Sequence, residues 1–208
     1  MAPWNNPIRV ALFGTSADPP HVGHQSILNW LAEDFDQVAV WAAENPYKPK
    51  QSPLGDRAEM LRLLTRTLVN SDRVSVYQSL SDRYSIHSIA RARQIWPNAK
   101  FTLVVGADLV AQLPHWYQAP AIFAQADILV FPRPGYSIHG PALSALQQQA
   151  TVTIAQPLTQ YNIASSRYRT AECSQIADDL PPVIRDYISA HHLYPCLQPP
   201  KVQISTSR

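Results

Sequence analysis

Short apolar runs alternate with helix-like segments along most of the chain, and this alternation constrains the fold more than any other feature. Six runs rich in Val, Ile, Leu and Phe are predicted to be buried strands, at 8–13, 38–42, 74–77, 101–105, 128–131 and 152–155. Helical spacing of apolar residues is found at 23–35, from about 56, around 86–96 and at 142–149, and further helices are predicted near 165 and over 182–190. Because strands and helices alternate, we expect an α/β fold built on a doubly wound parallel sheet.

Composition narrows the class of protein. The 208 residues include 17 Lys and Arg against 15 Asp and Glu, so no extended positive field is present for binding nucleic acid. No apolar run approaches the roughly 20 residues that span a bilayer, and the first residues lack the pattern of a secretory signal. Two cysteines, Cys173 and Cys196, suit neither a disulfide framework nor a zinc knuckle. We expect a cytoplasmic protein with one domain over 1–195 and a loosely ordered tail over 196–208.

The loop after the first strand carries the most informative residues. Ligands of open parallel sheets bind at the carboxyl ends of the strands. Gly14 can let a ligand approach the backbone, and Thr15 and Ser16 offer hydroxyl donors to phosphate oxygens. His21 and His24 are three residues apart in a predicted first helical turn, so their rings point the same way at a helix N-terminus. Two such imidazoles can hold a triphosphate and match the charge that develops as pyrophosphate leaves.

Two other interpretations of the histidines stand beside this one. A metal site would need further ligands, and no Cys, Glu or third His lies nearby in the sequence, so we expect no protein-held metal. The second alternative is a pair of structural histidines that cap the turn. The spacing alone leaves this capping role open.

Two later segments supply further polar groups at predicted element ends. Gly106-Ala107-Asp108 follows the fourth strand, where an acid can bind ribose hydroxyls, approach Mg²⁺ or simply cap a helix. Ser165 and Ser166, with Arg169 one turn on, form an anion-binding set if they begin a helix. The alternative there is an ordinary serine N-cap with solvated arginines.

These segments together resemble a known family. His21-Val22-Gly23-His24 matches the H-x-G-H signature of the nucleotidylyltransferase superfamily, and LFGTSADPPHVGH over 12–24 is similar to the longer motif of bacterial nicotinate mononucleotide adenylyltransferases. Thr15 and Ala17 depart from that motif, which has Gly and an aromatic residue there. The resemblance covers about residues 8–195 and implies a Rossmann-like nucleotidyltransferase fold.

The resemblance also implies the substrates and the residues that bind them. It implies an enzyme that moves AMP from ATP to nicotinate mononucleotide, with Mg²⁺ held mainly by the ATP phosphates. The implied ATP-binding residues are Gly14, Thr15, Ser16, His21, His24, Gly106, Asp108, Ser165, Ser166 and Arg169, of which His21, His24 and Arg169 are the implied catalytic residues. The implied mononucleotide-binding residues are Lys48, Ser85, Trp116, Tyr117 and Arg133, with the Trp116 indole stacked on the pyridine ring.

The implied reaction suits the residues present. A phosphate nucleophile is already ionised near neutral pH, so no general base is needed, and no paired nucleophile and base stand out in the sequence. Catalysis would then depend on positioning and on charge stabilisation. His87 replaces the acid of the family's Tyr-Thr-x-Asp-Thr stretch, a departure that bears on how the second substrate binds. Nicotinamide mononucleotide differs from nicotinate mononucleotide only by an amide in place of a carboxylate, so it stays open as the preferred acceptor. A non-catalytic nucleotide-binding protein and a homo-oligomer also stay open.

Overall fold

Six parallel strands form one sheet at the centre of the molecule. The computed structural model describes residues 6–44, 51–136, 139–157, 163, 165, 168 and 179–194. Every neighbouring pair of strands is parallel, and the spatial order is β3-β2-β1-β4-β5-β6. The strands are β1 (Arg9–Thr15), β2 (Gln37–Ala42), β3 (Val74–Val76), β4 (Lys100–Gly106), β5 (Ala126–Phe131) and β6 (Val152–Ile154). This order confirms the predicted doubly wound parallel sheet.

Helices connect successive strands and cover both faces of the sheet. They are α1 (Val22–Asp34), α2 (Leu54–Thr65), α3 (Ser85–Ile95), α4 (Ala119–Gln125), α5 (Pro141–Gln147) and α6 (Pro182–Ala190). Helix α4 was not predicted from the sequence. The helix predicted near 165 falls largely outside the described residues, as does the whole of 196–208. Among the described residues, no helix has both the length and the apolar character needed to cross a membrane.

Alternate side chains of the strands enter two hydrophobic clusters, one on each face of the sheet. In β1, Ala11 and Phe13 pack with α1, α2 and α6, whereas Val10 and Leu12 pack with α3, α4 and α5. Both faces are therefore buried, which explains why the strands read as continuous apolar runs instead of alternating ones.

The strand order places the candidate site. The chain moves outward from β1 to β2 and β3, then returns to β4 on the other side of β1 and continues to β5 and β6. The carboxyl ends of β1 and β4 consequently flank the point at which the order reverses, where the following loops diverge and leave a crevice. Thr15 ends β1 and Gly106 ends β4, so the two loops predicted to bind nucleotide meet there.

Candidate active site

The loop from β1 to α1 is buried and held by side chains from elsewhere in the chain. Residues 17–21 are all buried. Arg57 donates from Nη1 to the carbonyl oxygen of Ser16 at 2.9 Å, and the Ser165 hydroxyl donates to the carbonyl oxygen of Pro19 at 3.0 Å. Ser165, one of the two serines predicted to bind phosphate, therefore lies beside the histidine loop. In the ligand-free protein its hydroxyl donates to this loop.

His21 and His24 form a reciprocal cap at the start of α1. His21 is the N-cap residue with extended backbone, and its Nδ1 accepts from the Gly23 N–H at 3.1 Å. The His24 Nδ1 accepts in turn from the His21 N–H at 3.3 Å, and the two ring centroids are 4.1 Å apart. Both residues were predicted to lie within the first turn of the helix, whereas His21 is the N-cap, one position before that turn. The rings are neighbours as predicted, and the capping role is also present.

The caps fix which nitrogen of each ring carries a proton. Since each Nδ1 accepts a backbone hydrogen bond, the neutral ring must carry its proton on Nε2. The His24 Nε2 lies 3.1 Å from the Thr15 hydroxyl oxygen, to which it therefore donates. The Nε2–H of His21 has no acceptor among the described residues. Capping and phosphate binding thus use opposite sides of the ring, and the first does not preclude the second.

Burial decides the charge of His21. His21 is only 6% exposed. Burial lowers the pKa of its imidazole from 6.5 to about 2, and the charges of His24 and Arg133 make smaller contributions in the same direction. An imidazole with this pKa is neutral throughout the physiological range. In the ligand-free protein, His21 therefore presents a neutral N–H donor and not a cation.

Asp108 follows β4 and Arg133 follows β5, and their side chains lie together at the same edge of the sheet. Arg133 donates from Nη1 to Oδ2 of Asp108 at 2.8 Å, and both side chains are partly exposed. Gly106 makes this position of the carboxylate possible, because a Cβ on Gly106 would collide with Oδ1 of Asp108. The structure thus pairs a residue predicted for ATP with one predicted for the mononucleotide.

The predicted residues for the pyridine ring lie around an exposed group of aromatic side chains. The Tyr84 and Tyr117 ring centroids are 4.5 Å apart, and the His87 ring makes T-shaped contacts with both. Ser85 is the first residue of α3, directly after Tyr84. Trp116 is partly buried and packs against the hydrophobic cluster on the α3 face of the sheet. Stacking of Trp116 on a substrate ring stays a prediction.

His87 is part of an ionic group that borders these rings. Its Nδ1 lies 3.0 Å from Oδ1 of Asp82, whose other oxygen accepts from Arg91 at 2.7 Å. A hydrogen bond from the Tyr84 backbone N–H is the main cause that lowers the pKa of Asp82, with His87 and Arg91 acting in the same direction. The histidine that replaces the family's acid is therefore itself held by an acid five residues earlier.

Gly14 has a structural role besides the predicted one. A Cβ at this position would lie 2.8 Å from two atoms of the Trp41 indole, a buried side chain of β2. The absent side chain therefore makes room for Trp41, and approach of a ligand to the Gly14 backbone stays a prediction. Lys48, Ser166 and Arg169 lie outside the described residues, so their positions stay predictions.

Arg57 joins the loops of the site and was not predicted from the sequence. The residue is 2% exposed, and its guanidinium donates to the carbonyl oxygens of Ser16, Ala43 and Ser52 at 2.7–3.0 Å. A signal was available, because position 57 shares a helix face with the buried Leu61 and Leu64. A charged residue on such a face indicates a specific buried partner.

Comparisons with known proteins agree with the geometry. A family model described as cytidylyltransferase-like matches residues 12–171. A Synechocystis protein named "Probable nicotinate-nucleotide adenylyltransferase" is 42% identical over 204 residues, which is 90% of this chain and 99% of that protein. A Bacteroides thetaiotaomicron protein of the same name is 28% identical and covers 88% and 92%.

Solved structures share the fold. Plasmodium falciparum nicotinic acid mononucleotide adenylyltransferase complexed with NaAD superimposes with a TM-score of 0.77, covering 90% of this chain and 98% of that one. A complex of the same enzyme with APC gives a TM-score of 0.75. At 17% identity these likenesses show the architecture alone.

Proposed function

Because the chain belongs to the cytidylyltransferase-like family, and within it to the nicotinate-nucleotide adenylyltransferases, we propose that it transfers AMP from ATP to nicotinate mononucleotide. The products are nicotinate adenine dinucleotide and pyrophosphate, which makes the chain an enzyme of NAD biosynthesis. The observation that carries this proposal is the capped histidine pair at the crevice between β1 and β4.

The reaction exchanges one phosphoanhydride bond for another. A phosphate oxygen of the mononucleotide attacks the α-phosphorus of ATP, and the bond from that phosphorus to the bridging oxygen of pyrophosphate breaks. The nucleophile is already an anion, so no side chain needs to remove a proton. What the protein must supply is alignment of the two phosphates and stabilisation of the negative charge that moves to pyrophosphate.

The histidine pair fits the second requirement as a set of preorganised donors. The backbone caps hold both rings, so His21 and His24 lose little freedom when a phosphate arrives. The neutral ring of His21 offers its Nε2–H directly. The Nε2–H of His24, which is donated to the Thr15 hydroxyl in the ligand-free protein, becomes a second donor when a phosphate oxygen replaces that hydroxyl. The N-terminus of α1, with its backbone N–H groups and helix dipole, adds to the same field.

Part of the positive charge would come from Lys48 and Arg169, which lie outside the described part of the chain. We assign Lys48 to the mononucleotide phosphate, and Ser166 and Arg169, with Ser165, to the ATP phosphates. Among the described residues, no group of three or more His, Cys, Asp or Glu side chains could hold a metal ion. We propose that Mg²⁺ would arrive on ATP, held mainly by its phosphates, and would there neutralise charge on the departing pyrophosphate.

The acceptor would occupy the region between the aromatic group and the Asp108–Arg133 pair. Arg133 can donate to the mononucleotide phosphate once it turns from Asp108, which is then released for the nucleotide. Ser85, Trp116 and Tyr117 are assigned to the pyridine ring. A cytoplasmic location and a homo-oligomeric state stay predictions.

The function is tested by pyrophosphate release from ATP and Mg²⁺ with nicotinate mononucleotide or nicotinamide mononucleotide. We expect the nicotinate substrate to give the higher kcat/KM. Release with neither acceptor would contradict the proposal and favour a nucleotide-binding protein, whereas faster release with the amide would reassign the substrate.

The role of the histidines is tested with His24→Ala. We expect kcat to fall by about 100-fold or more, the effect of removing one preorganised donor from a developing anion, while the unfolding transition stays cooperative. His191→Ala, at an exposed position after α6, is the matched control and should retain wild-type turnover. Normal turnover in His24→Ala would refute the role given to this pair.

A further inference from the structure

A buried carboxylate lies three residues before His21 and joins distant parts of the chain. Asp18 has no exposed surface. Its Oδ1 accepts from the hydroxyl of Tyr194 at 2.5 Å, and the Ser52 N–H lies 3.3–3.4 Å from its two oxygens. One side chain thus connects the β1–α1 loop with the segment before α2 and with the segment after α6.

The loop that contains Asp18 includes a residue in an unfavourable backbone conformation. Ala17 has a φ of +44°, in the left-handed region that non-glycine residues avoid. Such a residue persists where the surrounding structure over-determines it. Three side chains from elsewhere in the chain donate hydrogen bonds to this loop. Arg57 donates to the carbonyl oxygen of Ser16, Ser165 to the carbonyl oxygen of Pro19, and Tyr194 to the carboxylate of Asp18.

Tyr194 is itself held in place by burial and by its packing with α6. Tyr194 is 5% exposed and belongs to the same hydrophobic cluster as Ile184 and Ile188 of α6. Helix α6 is itself fixed to α2, where the Tyr187 hydroxyl donates to Oδ1 of Asp56 at 2.9 Å. The Tyr194 hydroxyl is therefore a fixed point from which the loop can be positioned.

We propose that Tyr194 is a positioning residue for adenylyl transfer, acting through Asp18 on the backbone that carries His21. Residues 18–21 are consecutive and buried, so a shift of Asp18 moves the N-cap and redirects the Nε2–H of His21. The inference rests on the proposed function for its catalytic consequence. It adds that Tyr194, in the segment after α6, is needed for turnover and not only for stability.

The test compares two tyrosines that differ in what their hydroxyls bind. Tyr194→Phe removes the donor to Asp18, and Tyr187→Phe removes the donor to Asp56, so each variant loses one tyrosine-to-aspartate hydrogen bond. We expect Tyr194→Phe to lower kcat by about tenfold, as misplacement of a transition-state donor does, with KM for ATP changed by less than about twofold. We expect Tyr187→Phe to keep kcat within about twofold, because the apolar packing of Ile184 and Ile188 still holds α6 and the Tyr194 hydroxyl in place.

Asp18→Ala shows whether the effect passes through Asp18, because alanine leaves no acceptor for the Tyr194 hydroxyl. We expect it to lower kcat at least as much as Tyr194→Phe, and Tyr194→Phe added to it to have an effect of less than about twofold. Wild-type kcat in Tyr194→Phe, equal losses in the two phenylalanine variants, or additive losses with Asp18→Ala would each overturn the proposal.

Amide hydrogen exchange provides a readout that does not depend on turnover. Exchange across residues 16–21 should be faster in Tyr194→Phe than in wild type, and unchanged in Tyr187→Phe. If wild-type protein releases no pyrophosphate, the proposed function fails, and this comparison still decides whether Tyr194 holds the loop. Unchanged exchange in Tyr194→Phe would overturn the positioning role even in an active enzyme.

Discussion

The low pKa of His21 predicts a loss of stability in mild acid. The native ring resists protonation, with a pKa of about 2, whereas the ring in the unfolded chain binds a proton near pH 6.5. Below that pH the unfolded chain therefore takes up a proton that the native protein does not. The stability contributed by this group is complete above pH 6.5 and is lost progressively as the pH falls towards 2.

The size of the effect follows from the two pKa values. Far below pH 6.5 each pH unit removes about 1.4 kcal/mol from the free energy of unfolding, and at pH 5.0 the accumulated loss is about 2 kcal/mol. Most ordinary carboxyl groups are still ionised at pH 5, so a comparison between pH 7.5 and pH 5.0 reports mainly on histidines. The free energy of unfolding is measured at both values by urea titration.

His21→Asn isolates the histidine responsible, because asparagine is a good N-cap whose oxygen can accept the Gly23 N–H in place of Nδ1. We expect this variant to lose about 2 kcal/mol less than wild type between the two pH values. His115→Asn, at an exposed position, should lose as much as wild type. If His21→Asn and wild type show the same dependence, His21 is protonated normally in the native state, and its role as a neutral donor is wrong.

Two further substitutions test the packing beneath the site by thermal unfolding. Gly14→Ala should destabilise by about 1–3 kcal/mol, because its Cβ must displace the Trp41 indole, and Trp41→Phe in the same chain should lower that penalty; purely additive losses would refute the clash. Arg57→Met should destabilise by about 3 kcal/mol, since three carbonyl oxygens lose their donor. Arg62→Met, which breaks a surface ion pair on the same helix, should change stability by less than about 1 kcal/mol, and equal losses at the two arginines would contradict the buried role of Arg57.

The sheet could be predicted because burial on both faces makes each strand a continuous apolar run. β5 is an example, with Ile128 to Phe131 all buried. Helix α4 escaped prediction for the opposite reason. It has seven residues, a proline at its second position and only Ala119 and Ile122 buried, so it is too short to show a helical period.

At the site, the sequence was a better guide to which residues lie together than to the role of each one. The spacing of His21 and His24 predicted that the rings are neighbours, and they are. Their tautomers and the neutral state of His21 could not be predicted, because both depend on the extended backbone of His21 and on burial by distant residues. Gly14 shows the same limit, since Trp41 reaches it only through the pairing of β1 with β2.

The interactions that hold the histidine loop are long-range in sequence for a physical reason. A loop that includes a left-handed alanine is locally unfavourable, so neighbouring residues cannot supply its stability. Ser165 is 146 positions from Pro19 and Tyr194 is 176 from Asp18, so both contacts exist only in the tertiary fold. The conformation of the loop therefore depends on the completed fold. A substitution at Tyr194, although remote in sequence, is therefore expected to act on the chemistry through Asp18.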